Sequence, residues 1–285
     1  MFGNRYDGRR VRGMSPHMRI IPFIMKTRTD SMNMFSDDLP CEALDAYIKQ
    51  KREEGYDLNY MKLMIAMIVR VIALRPALNR FVFNGKIYTR KKIWISFAIP
   101  SSLRDENGNT TVKLEFDGTE TVFEIAETVQ KAIDKVQKKD GETKSDALAG
   151  LVMKVPGFLV KGVVAFLMFL DRHEMMPKAV IEASPFHTSV FLTNMKSLGI
   201  NSIYHHVYEF GTTGLFVAMG KERKKPTYDR HGEIVQSKLM PMGVVMDERF
   251  CDGLYFARSL KIFQKLLMDP SQLEIPLEAK VEDIP

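Results

Sequence analysis

Residues Met246–Gly253, MDERFCDG, bring acidic and basic side chains together and close on Asp-Gly. They follow a strand-like run and open a helix-like pattern, which is how a catalytic signature is often presented. Proton abstraction at such a place calls for a group that titrates near neutrality, and histidine is the usual one. Glu248 stands where that histidine is wanted. An ordinary glutamate, with a pKa of about 4.3, is a weak base at neutral pH, and burial away from positive charge raises it by several units. Arg249 points to the opposite face of a strand, so it need not pair with Glu248. His205-His206, between two strand-like runs, supply an alternative base, although such a pair also suits a plain surface loop. Cys251 has no evident partner base and is not read as a nucleophile. Tyr204, Tyr208 and Phe210 either line a pocket or pack at a sheet edge. His187 and His173 read as structural.

These residues need a scaffold. Cys41–Lys51 reads as a helix with Asp37-Asp38 near its positive end. Leu58–Leu74 reads as a buried helix closed by Arg75-Pro76. Arg80–Tyr88 holds two short alternating runs around Asn84-Gly85, a hairpin signal. Strands follow at Trp94–Ile99 and Thr111–Phe116, with a turn at Asp105–Asn109 between them. Thr119–Val136 has helical spacing, with Phe123, Ala126, Val129, Ile133 and Val136 on one face. After a solvated loop at Lys138–Lys144, two or three helices fill Asp146–Ala183. Strands return at Ser189–Thr193, Gly214–Gly220 and on either side of His231-Gly232, the last reaching Met246. Asp252–Leu267 forms the closing helix. The expected organisation is a basic N-terminal arm (1–20), a single α/β domain with a mixed sheet (21–270) and a loose acidic tail (271–285).

The chain has 285 residues, 45% hydrophobic and 27% charged, within the range of an ordinary globular protein. Its two cysteines, Cys41 and Cys251, lie far apart and fit a reducing, cytoplasmic setting without disulfides. No Cys/His spacing suggests a metal. The net charge is +6. Its basic clusters, Arg5–Arg19, Lys86–Lys92 and Lys221–Lys225, lack interleaved aromatics, so nucleic acid is not expected; an anionic, nucleotide-bearing ligand suits them as well. No signal peptide is expected, because no apolar run follows the charged start. The apolar runs Met64–Leu74 and Phe158–Leu170 are too short and too interrupted to span a membrane. Both read as buried core helices, with membrane-surface contact the alternative for the second.

The order of elements and these residues resemble the CoA-dependent acyltransferases of the chloramphenicol acetyltransferase type. Within that superfamily the chain is most similar to the catalytic domain of the 2-oxoacid dehydrogenase dihydrolipoyl acyltransferases. The likeness covers roughly residues 17–270 and is strongest over Ser189–Pro270. Cys251-Asp252-Gly253 matches the second half of the family signature His-x-x-x-Asp-Gly, and Pro76-Ala77-Leu78-Asn79 matches its Pro-x-Leu-Asn turn. The resemblance implies a two-layer α/β sandwich, a homotrimer with its site between subunits, and CoA or acyl-CoA as co-substrate. It puts Glu248 at the base position and Thr193 (more weakly Ser197) as oxyanion donor. Asp252 becomes a structural support, with Arg19 as its partner. The CoA-contacting residues stay unassigned. This sequence carries no lipoyl domain, so a lipoyl group would come from another chain in trans. Three readings of Glu248 stay open. It is a working base, or it marks a non-catalytic relative that binds acyl-CoA or acts as a scaffold, or it is a solvated glutamate beside another base. Enzyme status is thus open, leaning to acyltransferase.

Overall fold

The computed structural model describes residues 5–100, 109–138, 143–229 and 231–285. In chain order its elements are β1 (Gly8–Arg10), α1 (Pro16–Ile24), β2 (Met32–Pro40), α2 (Glu42–Glu53), α3 (Tyr60–Leu74), β3 (Arg80–Phe83), β4 (Lys86–Arg90), β5 (Ile93–Pro100), β6 (Asn109–Phe116), α4 (Val122–Lys138), α5 (Lys144–Met153), α6 (Gly157–Arg172), α7 (Lys178–Ala183), β7 (Val190–Asn194), β8 (Leu215–Met219), β9 (Arg223–Tyr228), β10 (Ile234–Asp247) and α8 (Gly253–Met268). The turn expected at Asp105–Asn109 and the loop expected at Lys138–Lys144 fall largely outside the described residues.

The spine of the sheet is β10. Its apolar run pairs antiparallel with β2 on one side and with β8 on the other, while its first half holds β9. β7 runs parallel to both β8 and β5, and β6 closes the far edge antiparallel to β5. The result is a mixed seven-stranded sheet. Period-2 alternation sends Val190, Leu215, Val217, Met242 and Val244 to one face, where they meet Ile68 and Ile72 of α3 and Phe256 and Phe263 of α8. Helix α3 sits at the centre of this layer. Asn59 caps it by accepting from Lys62 N at 3.0 Å, and Pro76 follows its end. The architecture is a two-layer α/β sandwich with a mixed sheet.

A second, three-stranded sheet is ordered β1-β4-β3. Its β3–β4 hairpin turns at Asn84 (φ 48°) and Gly85 (φ 69°), the left-handed pair that Asn-Gly favours.

Both chain ends differ from expectation. The 1–20 segment is not an extended arm over its described part. Gly8–Arg10 pairs with β4, Pro16–Ile24 is helical, and Arg5 and Asp7 are buried in an ion pair of 2.8 Å. The 271–285 tail is not loose either. Leu273 is buried, Asp283 Oδ2 accepts from Arg80 Nε at 2.7 Å, and Pro285 O accepts from Gly13 N at 2.7 Å. Arg80 and Asp283 are both nearly solvent-free. Asp283→Ala should therefore strand a buried cation and lower the unfolding free energy by about 3 kcal/mol, measured by urea denaturation; a change under about 0.5 kcal/mol would show the tail to be dispensable.

Strand β2 was not expected, because MNMFSDDLP carries none of the β-branched residues that mark strands. Asp37 and Asp38 lie in this strand, not at a helix start, and Asp38 pairs with Arg223 and Lys225. Helix α6 contradicts the buried-core expectation: only Asp171 within it is buried.

Candidate functional site

The motif begins where β10 ends. Asp247 is buried and accepts from Arg249 Nε at 2.8 Å, Arg249 Nη2 at 2.7 Å and Ser31 Oγ at 3.0 Å. Arg28 Nε lies 4.0 Å from the same carboxylate. Arg28 also donates to Val82 O (2.9 Å) and Glu209 O (3.0 Å), so it ties the strand end to the β3 hairpin and to the connection before β8. Burial pushes Arg28 down to about 10 despite Asp247, the mark of a cation short of countercharge.

This arrangement separates Glu248 from its neighbours. Arg249 is committed to Asp247. Glu248 is held by its backbone, whose N–H donates to Ser31 O at 3.0 Å. Glu248 as a whole is half-buried, and its carboxylate receives one long, exposed contact, from Asn33 Nδ2 at 3.4 Å. Asp252, by contrast, is exposed and caps α8 by accepting from Tyr255 N at 2.7 Å. Arg19 lies exposed on α1, and among the described residues no ion pair joins it to Asp252. The buried carboxylate–guanidinium support of the motif is Asp247 with Arg249 and Arg28. Sequence reading missed Asp247, although its i,i+2 spacing from Arg249 puts both on one side of an extended chain.

Thr193 and His205 come together on the other face of the sheet. Thr193 Oγ1 and His205 Nε2 are 3.0 Å apart, and the imidazole stacks on Phe216 at 4.4 Å. The 199–214 connection crosses this face closely. A Cβ on Gly220 would come 2.3 Å from Ser202 N, so only glycine lets the chain lie there. His206 is exposed, and Ser197 donates locally to Asn194 O at 2.7 Å. Tyr208 packs on Phe186, while Tyr204 is exposed.

Thr193, Ala218 and Gly243 share one rung of the sheet. Glu248 lies five residues farther along β10 and two strands across, which is about 16 Å along and about 10 Å sideways. One chain therefore does not bring Glu248 to the Thr193–His205 pair.

Beside the motif is a cleft of about 370 Å³ lined by Lys26, Arg28, Arg172, Arg249 and, as its one acid, Glu209. Lys26 and Arg172 are exposed, and their side chains have no partner among the described residues. Two of these four cations, Arg28 and Arg249, already face Asp247, so Lys26 and Arg172 carry the cleft's unmatched positive charge. Cys251 is buried, which pushes its thiol up to about 12 and leaves no thiolate for nucleophilic work. Among the described residues no group of three His, Cys, Asp or Glu side chains is placed to hold a metal.

Two imidazoles carry a stability consequence. Burial holds His187 below the usual histidine range despite Asp171, and burial with His206 does the same for His205. The unfolded chain takes up these protons below about pH 6.5 while the folded chain resists, so stability falls as pH drops from about 7 to about 5. Asp7 and Asp171 add a later loss. Burial opposes their charge, but Arg5 at Asp7, and His187 with Arg5 at Asp171, hold both carboxyls below the ordinary range. Their contribution is present above about pH 4 and is lost as pH falls through their folded pKa values. Thermal melts across this range should show Tm falling with acidification; a flat Tm between about pH 7 and about pH 5 would contradict the histidine argument.

The chain resembles known proteins in sequence and in fold. Residues 191–275 match the family model described as 2-oxoacid dehydrogenases acyltransferase (catalytic domain). Over 245 residues, 85% of the chain, the sequence is 22% identical to the dihydrolipoyllysine-residue acetyltransferase component of the acetoin cleaving system of Bacillus subtilis (strain 168). The chain spans about half (50%) of that relative's length. A probable dihydrolipoamide acetyltransferase from Listeria monocytogenes 4b F2365 superposes with a TM-score of 0.56 at 14% identity, covering 93% of this chain and 92% of that one. A chloramphenicol acetyltransferase gives 0.54 at 10% identity, covering 92% and 98%. At such identities the structural likeness is one of fold. The fold is chloramphenicol acetyltransferase-like, and residues 191–275 match the 2-oxoacid dehydrogenases acyltransferase (catalytic domain) model.

Proposed function

We propose that the protein is a CoA-dependent acyltransferase of the dihydrolipoyl acyltransferase catalytic-domain type, with Glu248 as base. The observation that carries this reading is the division of charge at the motif: Asp247 takes Arg249 and Arg28, and the Glu248 carboxylate is left with one long amide contact. Glu248 takes the proton of a thiol, hydroxyl or amine acceptor as that atom attacks the thioester carbonyl of acyl-CoA. The tetrahedral intermediate places its oxyanion against the Thr193 hydroxyl. Collapse breaks the carbon–sulfur bond, and the leaving CoA thiolate recovers the proton from Glu248. The phosphates of CoA sit in the cleft of Lys26, Arg28, Arg172 and Arg249. Asp247 and its guanidiniums keep the strand end rigid.

Because Glu248 and Thr193 are far apart in one chain, the complete site draws on two chains, and a homotrimer supplies them. Met34, Ile203 and Tyr204 leave apolar surface near the Thr193 side of the sheet, in keeping with such an assembly. The acceptor is small, or is a lipoyl group borne by another chain.

A second reading has its own support. The short Thr193–His205 contact makes His205, neutral at pH 7, an alternative base, with Glu248 a solvated glutamate. The non-catalytic reading, an acyl-CoA-binding or scaffold protein, keeps the basic cleft and dispenses with the base.

Calorimetry with CoA and acetyl-CoA tests the proposal without knowledge of the acceptor. Wild type and Glu248→His should both bind, and the Lys26→Glu/Arg172→Glu double variant should bind about tenfold more weakly, an effect that shrinks in high salt. An acceptor screen should then show Glu248→Gln at about a hundredth of the wild-type rate or less. Absence of CoA binding by either form, in a folded oligomer, overturns the acyltransferase reading; binding without turnover on any acceptor leaves the scaffold.

A further inference from the structure

We infer that the α5–α6 hairpin docks the protein onto an anionic lipid surface. Helix α6 is sixteen residues long and mostly apolar, yet only Asp171, at its last turn, is buried. Asp171 is pinned by Arg5 at 2.6 Å and by His187 at 3.2 Å. Leu167 rests on the small cluster of Trp94, Met176 and Ile181. The start of α5 is tied to β6 and α7 through Asp146 with Thr110 and Ser145 with Ala183 O at 2.8 Å, and the far part of the hairpin turns its apolar side chains outward. Phe158 is 82% exposed and Met153 68%, and Leu151, Leu159, Phe166 and Phe169 are exposed beside them. A soluble surface rarely leaves this much contiguous apolar area uncovered without a partner.

The charge pattern says which partner. Between Asp146 and Asp171 the chain has no acidic residue, and its only charges are Lys154 and Lys161. Both flank the exposed tip around Pro156-Gly157. Large apolar side chains that enter the acyl boundary, bracketed by lysines that stay with headgroup phosphates, form the pattern of an interfacial anchor. A second copy of the chain meets this patch less well, because it would bring the same two lysines and no carboxylate to face them. The segment does not cross the bilayer, since no described helix is long and apolar enough to span it. The hairpin therefore lies in the headgroup region.

Flotation of the full chain with vesicles tests this. Phosphatidylcholine vesicles containing phosphatidylglycerol should carry the protein upward, and pure phosphatidylcholine should carry far less. Met153→Glu/Phe158→Glu should cut partitioning at least about tenfold, and Lys154→Glu/Lys161→Glu should remove the preference for anionic vesicles. These side chains are exposed, so circular dichroism of the variants should match wild type. Lack of flotation by wild type at low salt overturns the inference, as does wild-type flotation by Met153→Glu/Phe158→Glu. A smaller particle for that variant by light scattering, with vesicle binding unchanged, assigns the patch to self-association instead and likewise overturns it.

Discussion

Asp247→Ala should cost about 3–5 kcal/mol of unfolding free energy, the largest stability loss expected of any single substitution at the motif. The carboxylate is buried and accepts from Ser31 Oγ, from the Arg249 backbone N–H at 3.1 Å and from two Arg249 side-chain nitrogens. Its removal leaves Arg249 and Arg28 as two buried cations on the same spot, and Arg28 already sits with too little countercharge. Uncompensated buried charge is far more expensive than a lost contact between exposed groups. Ser31→Ala removes one hydrogen bond and no charge, so it should cost about 1 kcal/mol. Urea denaturation of the two variants gives the comparison directly. Near-equal losses would mean that water reaches the pair and that the guanidiniums are solvated. A large gap would make Asp247, rather than Asp252, the carboxylate that holds the motif in shape. Because Arg28 also bonds the chain at Val82 and Glu209, Asp247→Ala should loosen the basic cleft as well and weaken CoA binding.

The motif itself was legible in sequence because chemistry and spacing coincide there: an acidic and basic cluster between a strand and a helix. The closing helix and the β3–β4 hairpin were legible for the same reason, since period and turn chemistry are local signals. What was not legible depends on partners distant in sequence. Strand β2 has little intrinsic strand preference and exists because β10 supplies its hydrogen bonds. The N-terminal segment and the tail read as loose because their charges look solvated. Arg5 and Asp283 find countercharges at Asp171 and Arg80, far along the chain. Helix α6 failed in the opposite sense. Its composition is that of a core helix, and periodicity cannot tell burial in protein from exposure toward something else. The pairing of Thr193 with His205 joined two residues weighed separately, because only the crossing of the 199–214 connection brings them within 3.0 Å.

Mixed oligomers of Glu248→Gln and Thr193→Val should regain about a quarter of wild-type activity, although each variant alone should be nearly inactive. The expectation follows from the sheet register. Glu248 and Thr193 are about 19 Å apart within a chain, far beyond the reach of one reacting centre. If a site takes Glu248 from one chain and Thr193 from its neighbour, random mixing leaves about one site in four with both residues intact. A site built within one chain would stay inactive in every mixture. The same mixtures test the rival base. Should His205 do the work, His205→Gln would be as inactive as Thr193→Val, because the two residues are neighbours in one chain. Those two would not complement each other, and Glu248→Gln alone would keep most of its rate. The pH profile separates the cases again. Burial and His206 hold His205 below the usual histidine range, so a rate limited by its protonation would persist into mildly acidic solution and vanish in His205→Gln. Restored activity in the Glu248→Gln/Thr193→Val mixture, with His205→Gln alone keeping most of its rate, would fix Glu248 as a base acting across a subunit boundary. No activity in any form, together with intact CoA binding, would leave the cleft as the functional part of the molecule and the motif as a structural hinge between β10 and α8.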